Sequence, residues 1–378
     1  MSKQDKAAAC PMKKTSIGGQ ALMEGIMMRG PRMTAMAVRN PKGEIVLEKF
    51  PTSSGKRPWP WRVPIIRGVF NFVDSMIFGY KCLMRSAEIS GLEEAEEEMR
   101  REKEQRKAAK AAKKDGVPAE TKTETETVAE TEAVEETETT EGTETVAETM
   151  SKPTPETTSA AEEKKTSPLM VGVTVVSVVL ALVLAVGLFV WLPTFLYDLL
   201  ARHVSWLDAD NRYLKSIFTG ILKIILLVGY MAAVSLMKDI RRTFQYHGAE
   251  HKTIFCYEAG LPLTVENVRK MRRFHPRCGT SFLILMLLVS ILVGFFIPPV
   301  LNTVLYSAVK ILLIPVICGL GYELIKFCGR HDNWLTRIIA APGVALQHIT
   351  VFEPDDSMIE CAIAAVKEVI PEDGSDAW

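Results

Sequence analysis

Four long apolar runs decide what this chain can fold into. They cover roughly residues 169–196, 213–237, 282–297 and 301–325. About 20 apolar residues are what a helix needs to cross the hydrocarbon core of a bilayer, and a helix satisfies its own backbone there. The second run carries Lys215 and Lys223 toward its start, the third is free of charge, and the fourth carries Lys310 and Glu323. Pro298-Pro299 leaves only a tight turn between the last two, so they are expected to form a hairpin.

Orientation follows from basic residues near the ends of spans. The loop 238–279 holds Lys238, Arg241, Arg242, Lys252, Arg269, Lys270, Arg272, Arg273 and Arg277, whereas the loop HVSWLDADNR is nearly balanced. The 238–279 loop is therefore expected in the cytoplasm, and with four spans both termini as well. The N-terminus, MSKQDKAAACPMKK, has no apolar run behind it and does not read as a secretory signal.

Composition narrows the function classes. Forty-five basic side chains balance 45 acidic ones, so no bulk attraction to nucleic acid is expected. The balance hides segregation, because a very acidic middle offsets basic loops elsewhere. Seven cysteines, Cys10, Cys82, Cys256, Cys278, Cys318, Cys328 and Cys361, are an odd and scattered set rather than a disulfide framework.

The chain divides into four regions. Residues 1–90 hold an expected β-hairpin, 33–39 and 44–50 about the turn Asn40-Pro41-Lys42-Gly43. An amphipathic helix follows over 63–85, with Arg67, Asn71, Asp74, Lys81 and Arg85 on one stripe. It is too polar for a span and suits a membrane-docked helix. Residues 91–168 form an acidic low-complexity tether rich in Thr and Glu, unable to bury enough apolar area to order itself. Residues 169–328 are the four-helix transmembrane region with its His/Cys loop. Residues 329–378 are a cytosolic tail: a short helix (333–340), a break at Pro342-Gly343, an extended run (345–352), and a helix from the Asp355/Asp356 cap to about residue 370. The fold class expected is mainly α, a polytopic membrane protein with a small cytosolic α+β portion that the tail helix and the N-terminal hairpin can share.

The chemistry concentrates in the 238–279 loop. Three of the six histidines fall there with two of the cysteines, in His247-Gly-Ala-Glu250-His251, Cys256, Glu258 and His275-Pro-Arg-Cys278. His247, Glu250 and His251 make H-x-x-E-H, the inverted zinc-hydrolase spacing. On a helix, residues four apart share a face, so both imidazoles reach one ion while the glutamate poises a water. Glu258 joins that face and Cys256 points away. In an extended chain Glu250, Cys256 and Glu258 share a side and the histidines lie opposite. The helix is the reading adopted, with His275 and Cys278 folding back as further ligands. Glu323, a carboxylate in a membrane helix, is expected to serve function, as a ligand or as a base beside the site.

The glycine-rich run from Gly18 to Pro31, GGQALMEGIMMRGP, points to tight turns and close backbone approach, with Glu24 and Arg29 available as an ion pair. It lacks the Gly-Lys-Ser/Thr ending of a phosphate loop.

GGQALMEGIMMRGP, YHGAEHKTIFCYE, GLPLTVENVRKMRRFHPRCGTSF, GYELIK, LQHITVFEPDD and IECAIAAVK together resemble the blocks of the YqhQ-like family of bacterial multi-spanning membrane proteins. The resemblance covers nearly the whole chain except the Thr/Glu tether. It implies a bacterial inner-membrane protein and a metal-dependent enzyme of unidentified reaction, its motif falling on His247, Glu250, His251, Cys256, Glu258, His275, Cys278 and Glu323.

The expectation is a membrane-embedded, zinc-dependent hydrolase acting on a membrane-proximal substrate, with Glu250 and Glu323 catalytic. His247, His251, His275, Cys278, Cys256 and Glu258 are its candidate ligands. The alternatives are a membrane scaffold or regulator with a structural metal, and, with weaker support, an ion or metal transporter.

Overall fold

The computed structural model describes residues 14–52, 59, 63–91, 168–204, 211–298, 302–331 and 333–377. The chain forms one compact unit of residues 1–99 and 179–378 and a second of residues 100–178. The second unit contributes only the start of one helix to the described residues. The acidic tether expected at 91–168 lies outside them, apart from its two end residues.

Strands β1 (Gly18–Leu22), β2 (Gly25–Arg29), β3 (Met33–Arg39) and β4 (Ile45–Pro51) form an antiparallel meander in that order. The expected hairpin is β3–β4, displaced by one residue at its second strand. Its turn uses Gly43 at φ 86° and the Asn40 side chain, whose Oδ1 accepts from Glu44 N at 2.9 Å. The glycine-rich run, expected to give tight turns and close backbone approach, forms a second hairpin, β1–β2, about the two-residue turn Met23-Glu24. Glu24 sits at φ 51°, a left-handed conformation uncommon for a residue with a Cβ. Its carboxylate is held by the Arg242 guanidinium and by Tyr246 Oη at 3.3 Å. Glu24 therefore does not pair with Arg29, which bonds Asp74 instead.

The helices are α1 (Ile66–Ile89), α2 (Pro168–Val186), α3 (Leu192–Ala201), α4 (Arg212–Val234), α5 (Lys238–Glu258), α6 (Val265–Arg269), α7 (Gly279–Gly294), α8 (Thr303–Leu312), α9 (Ile314–Arg330), α10 (Trp334–Thr350) and α11 (Asp356–Lys367). A π-helical turn, Gly187–Trp191, joins α2 to α3.

The sheet is the middle of three layers. Ile26, Met28, Ala35 and Ala37 face α5 and α11, meeting Tyr246, Ala249, Met358 and Ala362. The alternate positions Leu22, Met27, Met36 and Val38 face α1 at Cys82 and Phe78. A sheet buried on both faces loses the in/out alternation that marks a strand. The tail helix α11, capped by Asp355 at Met358 N, thus packs against the N-terminal strands. Thr15 and Ala377 bridge the two ends of the chain.

Helix α1 directs its polar stripe at partners: Arg67 to Glu323, Asn71 to Tyr322, Asp74 to Arg29, Arg85 to Glu48. Val73, Met76, Ile77, Tyr80 and Met84 remain exposed, an apolar face along the helix.

Among the described residues, two helices are long and apolar enough to cross a membrane, Val176–Ala201 and Arg212–Val234, and a third exists if α8 and α9 together make one span. Those two are bent by 48° where Pro315, in the first turn of α9, has no N–H to continue the ladder. Helix α7 has 16 residues, or about 24 Å, short of a hydrocarbon core of about 30 Å. The apolar helical bundle stands, with two or three candidate spans.

The tail differs from expectation. One helix, α10, runs through Pro342 to Thr350, where a break and an extended run were expected. Packing overrides the local signal: a Cβ on Gly343 would lie 2.7 Å from Ser281 Cα, so close approach to α7 needs this glycine inside a helix.

Candidate metal centre

Helix α5 begins after Met237 and carries the motif on its buried side: Glu250, His251 and Glu258 are buried and His247 is half-buried. The helix fits against the chain end of α10 because Gly248 meets the Phe352 carbonyl where no side chain would fit. Cys278 approaches from the other side as the N-cap of α7, with its Sγ accepting from Thr280 N at 3.4 Å.

His247, His251 and Cys278 each bring one ligand atom to within 4.8 Å of the other two. Both imidazoles are oriented from behind. His247 Nδ1 donates to the Thr350 carbonyl at 3.0 Å and His251 Nδ1 to the Arg273 carbonyl at 2.5 Å. These bonds turn both Nε2 atoms inward, the arrangement that fixes a metal-binding tautomer. His247 Nε2 lies 3.0 Å from Cys278 Sγ. His251 Nε2 is buried without a hydrogen-bond partner, an unmet demand that a cation would satisfy. A tetrahedral ion holds ligands at about 2.0–2.3 Å, so the widest pair would close by about an ångström.

The charge pattern fits the same ion. Burial alone would raise the Cys278 thiol, yet the facing His247 and His251 imidazoles hold it well below the usual thiol range. Burial opposes protonation of His247, but Cys278 and Glu250 outweigh it and raise that imidazole to about 9. A thiolate balanced by a shared proton is a site where a divalent cation can displace that proton. Glu250 is pushed up by burial more than the two histidines pull it down. One of its oxygens accepts from Gly19 N at 3.0 Å.

The other expected ligands lie elsewhere. Cys256 points into the core with its Sγ 3.6 Å from the Pro262 carbonyl, as its helical phase requires. Glu258 shares the helix face but is bound by Arg277 and Thr15 N. His275 stands beside that pair, its Nε2 3.9 Å from Glu258, and burial lowers it to about 4, so it is neutral at pH 7. Its ring lies 5.5 Å from that of His251, next to the group of three without joining it. Glu323 forms a two-pronged bond with Arg67 and is likewise outside the group.

Sequence reasoning missed the carbonyls of Thr350 and Arg273, since main-chain acceptors leave no residue signal. Gly19 left one: a Cβ there would sit 2.9 Å from Glu250 Cδ, the close approach that the glycine run implied. Gly19 also lines a cavity of about 340 Å³ with Gly18, Gln20, Arg29, Ser75 and Phe78.

Comparison with known proteins agrees on kinship and supplies no chemistry. A family described as "Protein of unknown function (DUF1385)" matches residues 63–372. The "Uncharacterized protein YqhQ" of Bacillus subtilis (strain 168) is 29% identical over 358 residues, 93% of this chain and 92% of that protein. No solved structure matches the chain.

Proposed function

The chain belongs to the DUF1385 family of proteins of unknown function, and from that premise we propose that it is a membrane-bound, metal-dependent hydrolase. The observation that carries the reading is the inward convergence of His247 Nε2, His251 Nε2 and Cys278 Sγ, with one of these atoms buried and unpartnered. Three protein ligands leave a position open, as catalytic zinc sites do. A divalent ion there would lower the pKa of a bound water toward 7 and polarise a carbonyl or phosphoryl group.

The chain's own residues do the rest. The Gly19 amide holds one oxygen of Glu250 and leaves the other to take a proton. Burial raises this carboxyl above its ordinary value, toward the range where a general base works at neutral pH. Glu323, committed to Arg67, holds α1 to α9 in this reading.

Topology belongs to the same proposal: four spans made by α2–α3, α4, α7 lengthened by the apolar residues 295–297 that follow it, and α8–α9, with the site and both termini on the cytoplasmic side of a bacterial inner membrane. The nine basic residues of the 238–279 loop support it. The partners are then the bilayer and a substrate near its surface, with no nucleic acid.

A second reading, a structural ion in a scaffold protein, draws on the depth of the site. Replacing Glu250 with Gln separates the two. In the enzyme, bound metal stays at wild-type level and complementation of a deletion strain is lost. Retained complementation with normal metal would assign the ion a structural role.

A further inference from the structure

The apolar bundle contains a second polar group, unrelated to the metal centre. Lys215, Lys223 and Lys310 are 2%, 7% and 6% exposed. Lys215, Thr219 and Lys223 recur every four residues along α4, so they share one helix face. Lys223 is the twelfth of the 23 residues of this helix, midway along a segment long enough to cross a bilayer. Lys310 comes from α8 and donates to Thr219 Oγ1 at 3.3 Å.

A single carboxylate serves these three ammonium groups among the described residues. Asp198, in α3, lies 2.7 Å from Lys215 and also accepts from Thr303 Oγ1 at 2.5 Å. Three lysine amines against one carboxylate leave two amines without a carboxylate partner among the described residues. The Tyr306 ring softens this, with Lys215 Nζ at 4.7 Å and Lys310 Nζ at 4.8 Å from its centroid. Its hydroxyl is nevertheless buried with no partner, and so is that of Ser307. Unpaired charge in a hydrocarbon-facing bundle is costly and marks a functional position. Orphaned hydroxyls beside it add donors that nothing in the described chain uses.

We propose that Lys223, Lys310 and the Tyr306 hydroxyl form an anion site inside the bundle that takes a phosphate group. A bound anion favours the protonated form of both amines, so the pair suits a phosphate carrying up to two negative charges, and lysine binds phosphate as a point charge. The same chemistry is offered by an anionic lipid headgroup and by free phosphate.

The test uses full-length protein stripped of lipid in detergent, titrated with inorganic phosphate. The same protein is placed in phosphatidylcholine nanodiscs with and without phosphatidic acid. Thermal midpoint and bound ligand by native mass spectrometry are read for wild type, Lys223→Met, Lys310→Met and Tyr306→Phe. The site predicts a rise in midpoint with phosphate or phosphatidic acid, and binding about tenfold weaker or worse in each lysine variant. Without ligand, Lys310→Met should be at least as stable as wild type, because it removes a buried charge. If a lysine variant does not fold, Tyr306→Phe, which keeps every charge, must still weaken binding. A response to inorganic phosphate alone assigns a soluble anion, and one to phosphatidic acid alone assigns a lipid. No response to either, or one undiminished in the variants, overturns the site.

Discussion

Gly19 joins the sheet to the candidate centre. Its amide fixes one oxygen of Glu250, and no side chain fits between that carboxylate and the Met27 carbonyl, 2.7 Å from an added Cβ. Gly19→Ala should therefore cost about 1–3 kcal/mol and shift Glu250 while the three ligands stay in place. Chemical denaturation reads the first effect and metal analysis the second; an unchanged stability would contradict the close contact. At this scale the sequence showed the motif residues well and their partners poorly. His247, Glu250 and His251 were legible because helical spacing alone puts them on one face. Cys278 was legible as a neighbour in kind, whereas Glu258 and His275 looked equally good until Arg277 claimed the first and its backbone amide, with Glu258, engaged the ring nitrogens of the second. Nothing short of the fold distinguishes a carboxylate facing an ion from one facing an arginine.

Among the elements, two junctions hold the site. The first is Glu258 with Arg277 and Thr15, which ties α5 to the turn before α7 and to the start of the chain. Burial pushes the Glu258 carboxyl up, but His275, Arg277 and the Thr15 amide outweigh it and hold it below its usual value. A lowered folded-state pKa stabilises above the unfolded value, about 4.3, and that contribution is lost as pH falls through the folded one. Glu258→Gln should thus lower the thermal midpoint at pH 7 and leave little difference near pH 3. A deficit equal at both pH values would contradict the linkage. The second junction is α1 on α9, where a Cβ on Gly319 would lie 2.6 Å from the Ile65 carbonyl and where Ile65 itself adopts φ 70°. Gly319→Ala should loosen α1, read as faster proteolysis within α1 with the candidate metal centre intact; wild-type resistance would contradict the contact. The β3–β4 hairpin and α11 were readable from turn residues and a cap. The β1–β2 hairpin and the helix through Pro342 were not, because burial on both faces removes alternation and tertiary contact overrides a proline break.

For the whole molecule, the apolar runs foretold a helical membrane bundle, while the number of spans depends on a proline bend and a 16-residue helix that composition does not resolve. The three-layer packing of α1, the sheet and α5 with α11 brings Thr15 and Ala377 together beside Glu258, next to the candidate centre. If an ion is resident there, its removal should destabilise the entire unit, since a ligand bound only to the folded state adds its binding energy to stability. A chelator should lower the thermal midpoint of wild type and leave a His251→Ala variant unmoved. The most direct measurement is the metal content of the purified full-length protein, beside variants His247→Ala, His251→Ala and Cys278→Ser. The account predicts about one divalent ion per chain, zinc foremost, lost in each of the three and kept in Cys256→Ser. Metal-free wild-type protein that remains folded and functional, or metal retained when all three ligands are replaced, would contradict it.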